Sequence, residues 1–166
     1  MVVGNWTEER LDVFRFFKDN HPELLDCYGR CPPGMENMNM YKGHIPGLHS
    51  GDEKVSVLQN YRFCVCFENT IGLRSYITEK IFSCFASGSI PIYWGTDNIE
   101  DFIPKSCFID YRDFKNNEEL FRFISNMSKK SHEEYVERIK QFLDSEQAQI
   151  FSPKYFEDLI YKAITS

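Results

Sequence analysis

Apolar positions along this chain recur with two periods, and the change from one to the other marks the elements. In NYRFCVCFEN, Phe63, Val65 and Phe67 alternate with Arg62, Cys64 and Cys66. Alternation predicts a strand, and two mostly apolar faces predict an inner strand of a parallel sheet. Ile77, Ile81 and Phe85 then recur every four residues, with Cys84 beside them. That spacing predicts a helix over about 77–87, stopped by Gly88. SIPIYW predicts the next strand, where Pro91 argues for an edge or an end position. CFIDY predicts another short strand.

The flanking segments fit the same pattern. Residues 1–5 read as the tail of a strand. TEERLDVFRFFKDN reads as a helix capped by Thr7, with Leu11, Phe14 and Phe17 as its apolar stripe. ELLDCYGR reads as a short strand with a turn at Gly29. Residues 31–51, rich in Pro, Gly, Met and Asn, read as an irregular loop. Residues 117–128, 131–143 and 153–163 read as helices packing on the sheet. Strand, helix, strand, repeated, is a βαβ pattern and predicts an α/β fold, with 166 residues enough for one domain.

Composition narrows the function. The net charge of -6 offers no basic stripe for nucleic acid. A local basic site for a phosphate-bearing ligand is still compatible with it, although Lys42, Lys54, Lys80 and Lys105 stand isolated in the sequence. No apolar run approaches the ~18 residues of a membrane span, and residues 1–4 are too short for a signal peptide. The six cysteines lack zinc-site spacing, and no acidic cluster has a metal-ligand pattern. Cys64, Cys66, Cys84 and Cys107 sit in apolar segments and read as buried thiols. Cys27 and Cys31 read equally as a bridge or as thiols.

Candidate chemistry gathers after the strongest strand. In an open α/β sheet, ligands sit beyond the carboxyl ends of the strands. Glu68, Asn69, Arg74, Tyr76, Thr78, Glu79 and Lys80 all follow that strand end. A helix start there favours anions, Lys80 suits a phosphate, and the Glu79 carboxylate suits a ribose diol. Neighbours on a helix fan apart by about 100°, so Glu79 and Lys80 can serve two parts of one extended ligand. The plainer alternative is a first turn in which Glu79 complements the dipole and Thr78 is only a cap. Neither GxGxxG nor GxxxxGK[ST] is present. Tyr93 and Trp94 read as core more than as pocket, and His44 and His49 as loop residues. Ser128, Ser131 and His132 form no nucleophilic arrangement.

The order Phe67-Glu68-Asn69, Tyr76-Ile77-Thr78-Glu79-Lys80, Pro91, Gly95, continued by Phe102-Ile103-Pro104 and Asp113-Phe114, resembles the signature region of the α-1,3/4-fucosyltransferases, glycosyltransferase family 10. The resemblance is strongest over residues 59–114. It implies the Rossmann-like C-terminal half of a GT-B fold, a parallel sheet with helices on both faces. It implies GDP-fucose as donor, a glycan hydroxyl as acceptor, inversion at the fucose anomeric carbon, and no essential cofactor or metal. By resemblance Glu79 meets the ribose, Lys80 and Arg10 hold the diphosphate, and Asn69 and Tyr76 line the donor pocket. Glu68 stands near the fucosyl end or holds the pocket. The loop between Asn69 and Tyr76 is one residue longer than the family's usual one.

The family's catalytic base belongs to an N-terminal acceptor domain, which the 166 residues are expected to lack. The chain is therefore expected to bind donor weakly and transfer poorly alone, needing that domain or a partner chain. The alternatives are a non-catalytic GDP-sugar-binding module and a vestigial scaffold. The resemblance places a eukaryotic member at the Golgi membrane, and a bacterial one in the cytoplasm or at the membrane periphery. Asn5 and Asn126 lie in glycosylation sequons, relevant only in a secretory pathway.

Overall fold

A computed structural model describes residues 1–31, 38–45 and 51–165. The first helix, α1 (Glu8–Asn20), follows strand β1 (Val2–Val3) and leads to β2 (Tyr28–Gly29), which pairs parallel to β1. Thr7 caps α1 by accepting the Arg10 N–H at 3.4 Å, and Glu8 and Glu9 oppose the positive helix end. The buried face is Arg10, Val13, Phe14 and Phe17. Leu11 is only half-buried, so the stripe is rotated by one position from the expected one and places a charged residue inward.

A short helix, α2 (Asp52–Leu58), precedes β3 (Phe63–Phe67). Then come α3 (Glu79–Ser87), β4 (Ile90–Trp94), β5 (Ile109–Asp110), α4 (Asn117–Ser125), α5 (Lys129–Leu143) and α6 (Pro153–Thr165). Gly88 ends α3 in the left-handed conformation, φ 73°, which a side chain would strain.

The second ladder has the order β3-β4-β5, all parallel, with Phe63 opposite Ile90 and Ile92 opposite Ile109. This reverses two expectations. β4, not β3, is the central strand, and β3 is an edge in hydrogen-bonding terms. Pro91 is tolerated at the centre for a geometric reason. Ile90 N–H donates to Arg62 on the β3 side, so alternation turns the Pro91 nitrogen toward β5. Pairing with β5 begins only at Ile92, so no ladder bond is lost there. β3 is apolar on both faces because helices cover both, and Val2 of β1 lies across a crevice from it.

Two cores flank the sheet. Val13, Phe14 and Phe17 of α1 and Leu120 of α4 meet Phe67, Ile90 and Ile92 on one face. Leu58, Ile81, Cys84, Phe85, Ile139 and Phe142 meet Cys64, Cys66 and Tyr93 on the other. Burying each such large side chain contributes about 1.5–3 kcal/mol before entropy is counted. Cys27, Cys64, Cys66, Cys84 and Cys107 are buried thiols, so Cys27 is not half of a bridge. α6 forms but departs from expectation. It leans on the 3-10 turn Glu146–Phe151, and Phe156, Ile160 and Ile164 remain exposed rather than packed on the sheet. None of the described helices is long and apolar enough to cross a membrane. The loop expected over 31–51 falls partly outside the described residues, as does His49. His44 is described and exposed.

Candidate functional site

The parallel strands form two ladders, β1-β2 and β3-β4-β5, and Val2 of β1 and Cys64, Val65, Cys66 and Phe67 of β3 line one crevice. Ligands in open α/β sheets sit beyond the carboxyl ends of the strands. Both α1 and α3 begin there, each directing its first N–H groups and its positive dipole end at the crevice. Arg10 stands in the first turn of α1 and Lys80 in the first turn of α3. They line one small cavity of about 20 Å³ together with Lys54 of α2, Val2, and Cys64, Cys66 and Cys84. Lysines that look isolated in the sequence therefore meet Arg10 in space.

Glu68, the first residue beyond β3, is 0% exposed. Its Oε1 accepts the Thr78 backbone N–H at 2.9 Å, and its Oε2 accepts Lys80 Nζ at 2.9 Å. The Thr78 hydroxyl lies 2.9 and 2.8 Å from the two carboxylate oxygens, and it accepts from Lys80 Nζ at 2.9 Å. Thr78 is thus the N-cap residue of α3 by position, but its side chain caps nothing and binds Glu68 instead. The plainer reading of Thr78 as only a cap is not what the structure shows. Glu68 N–H donates to Trp94 O at 2.8 Å, which joins the pocket floor to β4.

Arg10, 4% exposed, ties the two halves of the crevice together. Its Nη1 donates to Asn5 O at 2.5 Å, and its Nη2 donates to Phe67 O and, at 3.0 Å, to Asn69 Oδ1. Burial lowers the Arg10 guanidinium below its ordinary value, opposed by Cys66, Glu68 and Glu9 nearby. Among the described residues no buried side-chain nitrogen or oxygen lacks a partner.

The loop between β3 and α3 is anchored, not loose. Ser75 has φ 61°, a strained conformation for a residue with a Cβ. It is held by its N–H, which donates to Thr96 Oγ1 at 2.8 Å and Asn98 Oδ1 at 2.9 Å, and Gly72 N–H donates to Gly95 O at 3.0 Å. Gly95 has no room for a side chain. A Cβ there would strike Tyr93 Oη, with Tyr93 Cζ at 2.6 Å and Glu68 Cγ at 2.7 Å.

The expected site residues therefore divide. Arg10 and Asn69 are bonded to each other, and Glu68 and Lys80 form a second, adjoining pair. Glu79 stands apart, its side chain 75% exposed and 4.0 Å from Lys54 Nζ. Tyr76 is half-buried, and its ring makes no hydrogen bond among the described residues. Arg74 is exposed beside Asp101, Tyr93 is core, and Trp94 stacks on Tyr111 with centroids 5.0 Å apart. Lys54 and the Ser75–Thr96–Asn98 anchor were not anticipated. Asp52 and Glu53 followed by Val55 and Leu58 at i, i+3 were the signal for the helix carrying Lys54.

The family model described as "Glycosyltransferase family 10 (fucosyltransferase) C-term" matches residues 1–150. The chain belongs to glycosyltransferase family 10. It is 47% identical over 72 residues to the α-(1,3)-fucosyltransferase FucT of Helicobacter pylori, covering 43% of this chain and 15% of that protein. It is 33% identical over 131 residues to mouse 4-galactosyl-N-acetylglucosaminide 3-α-L-fucosyltransferase 9, covering 77% of this chain and 32% of that protein. The chain thus spans a third or less of the length of these relatives. A crystal structure of an α1,3-fucosyltransferase superposes with a TM-score of 0.58 at 28% identity, over 84% of this chain and 36% of that one. Another, solved with GDP-fucose, has the same fold at a TM-score of 0.52 and 20% identity, over 84% of this chain and 54% of that one. The parallel sheet with helices on both faces is the Rossmann-like unit expected of a GT-B member of family 10.

Proposed function

We propose that this chain is the GDP-fucose-binding half of an inverting fucosyltransferase that transfers fucose to a glycan hydroxyl. In this reading residues 1–166 form one donor domain, with C-terminal helices from about residue 117. The observation that carries it is the convergence of Arg10 and Lys80 at the crevice where two helices begin, in a chain of family 10. Two fixed cations and two helix dipoles there suit a diphosphate.

Each residue takes a role its environment allows. Lys80 and Arg10 oppose the negative charge that builds on the departing diphosphate as the bond to fucose C1 breaks. The exposed Glu79 carboxylate is free to accept from two ribose hydroxyls, and Lys54 beside it is a further cation for the phosphates. Asn69, oriented by Arg10, and Tyr76 line the sugar end of the pocket. The acceptor oxygen attacks C1, its proton passes to a base, and the electron pair leaves with GDP. That base is supplied from outside these residues, by an acceptor domain in the same protein or a partner chain. General-base catalysis is worth about 10²–10⁴-fold, so the 166 residues alone bind donor but transfer little. Placement at a Golgi membrane, for a eukaryotic source, belongs to this reading and rests on the family alone.

A chimera tests it. Residues 1–150 replace the matching part of the Helicobacter pylori relative, and fucose transfer from labelled GDP-fucose to a galactosyl-N-acetylglucosamine acceptor is measured. The expected result is transfer that Lys80→Met abolishes. A folded chimera that transfers no fucose contradicts the reading.

A further inference from the structure

We infer that Glu68 is a positioning residue, acting on the donor through Lys80 and Thr78 and never by contact. This rests on the donor-site reading above and assigns the division of labour within it. Proximity to the sugar would suit Glu68 as a direct ligand or as a base. Its surroundings do not. A carboxylate that touches a sugar needs an oxygen facing the crevice, and Glu68 is wholly buried. Both its oxygens are already occupied by the Thr78 N–H, the Thr78 hydroxyl and the Lys80 ammonium. A Cβ built on Gly95 would lie 2.7 Å from its Cγ, so the side chain occupies space that only a glycine at 95 leaves open.

What the carboxylate does instead can be counted in hydrogen bonds. An ammonium has three protons. Lys80 gives one to Glu68 Oε2 and one to Thr78 Oγ1, each at 2.9 Å. One remains, on a side chain 23% exposed. Lys80 is thereby a single donor with a fixed direction instead of a free-swinging cation. The bond from the Thr78 N–H fixes the start of α3 by the same stroke, and with it the placement of Glu79. Holding Lys80 before the ligand arrives removes the cost of immobilising it afterwards, which is preorganisation.

The test is a double-mutant cycle on the 166-residue chain, read as Kd for GDP and for GDP-fucose by calorimetry, with thermal unfolding to confirm folding. Lys80→Met keeps the stem and removes the charge, and is expected to weaken GDP about ten- to hundredfold. Glu68→Gln is expected to weaken GDP and GDP-fucose by the same factor, about three- to tenfold. Adding Glu68→Gln to Lys80→Met is expected to change affinity less than about twofold, because two residues acting as one are not additive. Additive losses, or a loss confined to GDP-fucose, overturn the inference and make Glu68 a direct sugar contact. If Glu68→Gln does not fold, Thr78→Val and Thr78→Ser decide. The valine variant should reproduce the loss and the serine variant restore wild-type affinity, and equal affinities for both overturn the inference. A folded Lys80→Met that binds GDP as wild type does overturns the donor-site reading itself.

Discussion

Gly95→Ala is the perturbation whose size the structure fixes most closely. The new Cβ would meet Tyr93 Oη, Tyr93 Cζ at 2.6 Å and Glu68 Cγ at 2.7 Å. Real Cβ contacts do not survive below about 3 Å, so something must move. Neither neighbour has slack, because Tyr93 and Glu68 are both 0% exposed. Moving Tyr93 breaks the 3.3 Å bond from Thr96 N–H to its hydroxyl, and moving Glu68 disturbs Lys80 and Thr78. Overpacking typically costs about 1–3 kcal/mol. With two polar networks behind the clash, the upper half of that range is expected. For a domain of this size about 1 kcal/mol is 2–4 °C in Tm, so the loss should be roughly 4–12 °C. Thermal unfolding followed by circular dichroism measures it. Calorimetry with GDP should show a loss of affinity in the same variant at a temperature where it is folded. Adding Tyr93→Phe removes the closest atom and should return part of the Tm. A Gly95→Ala protein that melts within 1 °C of wild type and binds GDP equally would refute the packing on which the pocket floor depends.

Other consequences are independent of that contact. Arg10→Lys cannot reach Asn5 O, Phe67 O and Asn69 Oδ1 with one ammonium, and should cost at least about 1.5–3 kcal/mol in urea unfolding, the worth of one hydrogen bond to a charged group. Burial pushes the Asp110 carboxyl up, but Arg112 and Lys105 outweigh it and hold it below its ordinary 3.8. The folded value is depressed, so the stabilisation is present above the unfolded value and is lost as pH falls through the folded one. Asp110→Asn should therefore be less stable than wild type at pH 7, with the gap closing below about pH 4 in pH-resolved denaturation. Phe156→Ser on α6 removes a side chain 64% exposed, and should shift stability by no more than about 0.5 kcal/mol in the same assay.

Much of this was readable in the chain because local chemistry and tertiary placement agree. The alternation at Phe63–Phe67, the four-residue spacing through Ile81 and Phe85, and Gly88 at φ 73° all carry their reasons on the sequence. What was misread depends on partners distant along the chain. Pro91 argued for an edge because a missing donor usually matters, whereas here its nitrogen faces a stretch that β5 does not reach. Thr78 looked like a cap because its position is a cap, and only Glu68, ten residues upstream, diverts its hydroxyl. Arg10 sits on the buried side of α1, which periodicity assigns to Leu11. Its partners Phe67 and Asn69 lie 57 and 59 residues away. Lys54 and Lys80 look unrelated until α2 and α3 pack side by side. α6 has the composition of a packing helix, and no local rule says what its apolar side chains meet.

The central claim is that the crevice between β1 and β3 is a working GDP-sugar site. Calorimetric titration of GDP-fucose into the purified 166-residue chain tests it most directly, with Lys80→Met and Glu79→Ala alongside. The account predicts saturable one-to-one binding that is competed by GDP and weakened in both variants. A folded wild-type chain that shows no saturation up to millimolar GDP-fucose would contradict it, leaving fold and family membership without a functioning donor site.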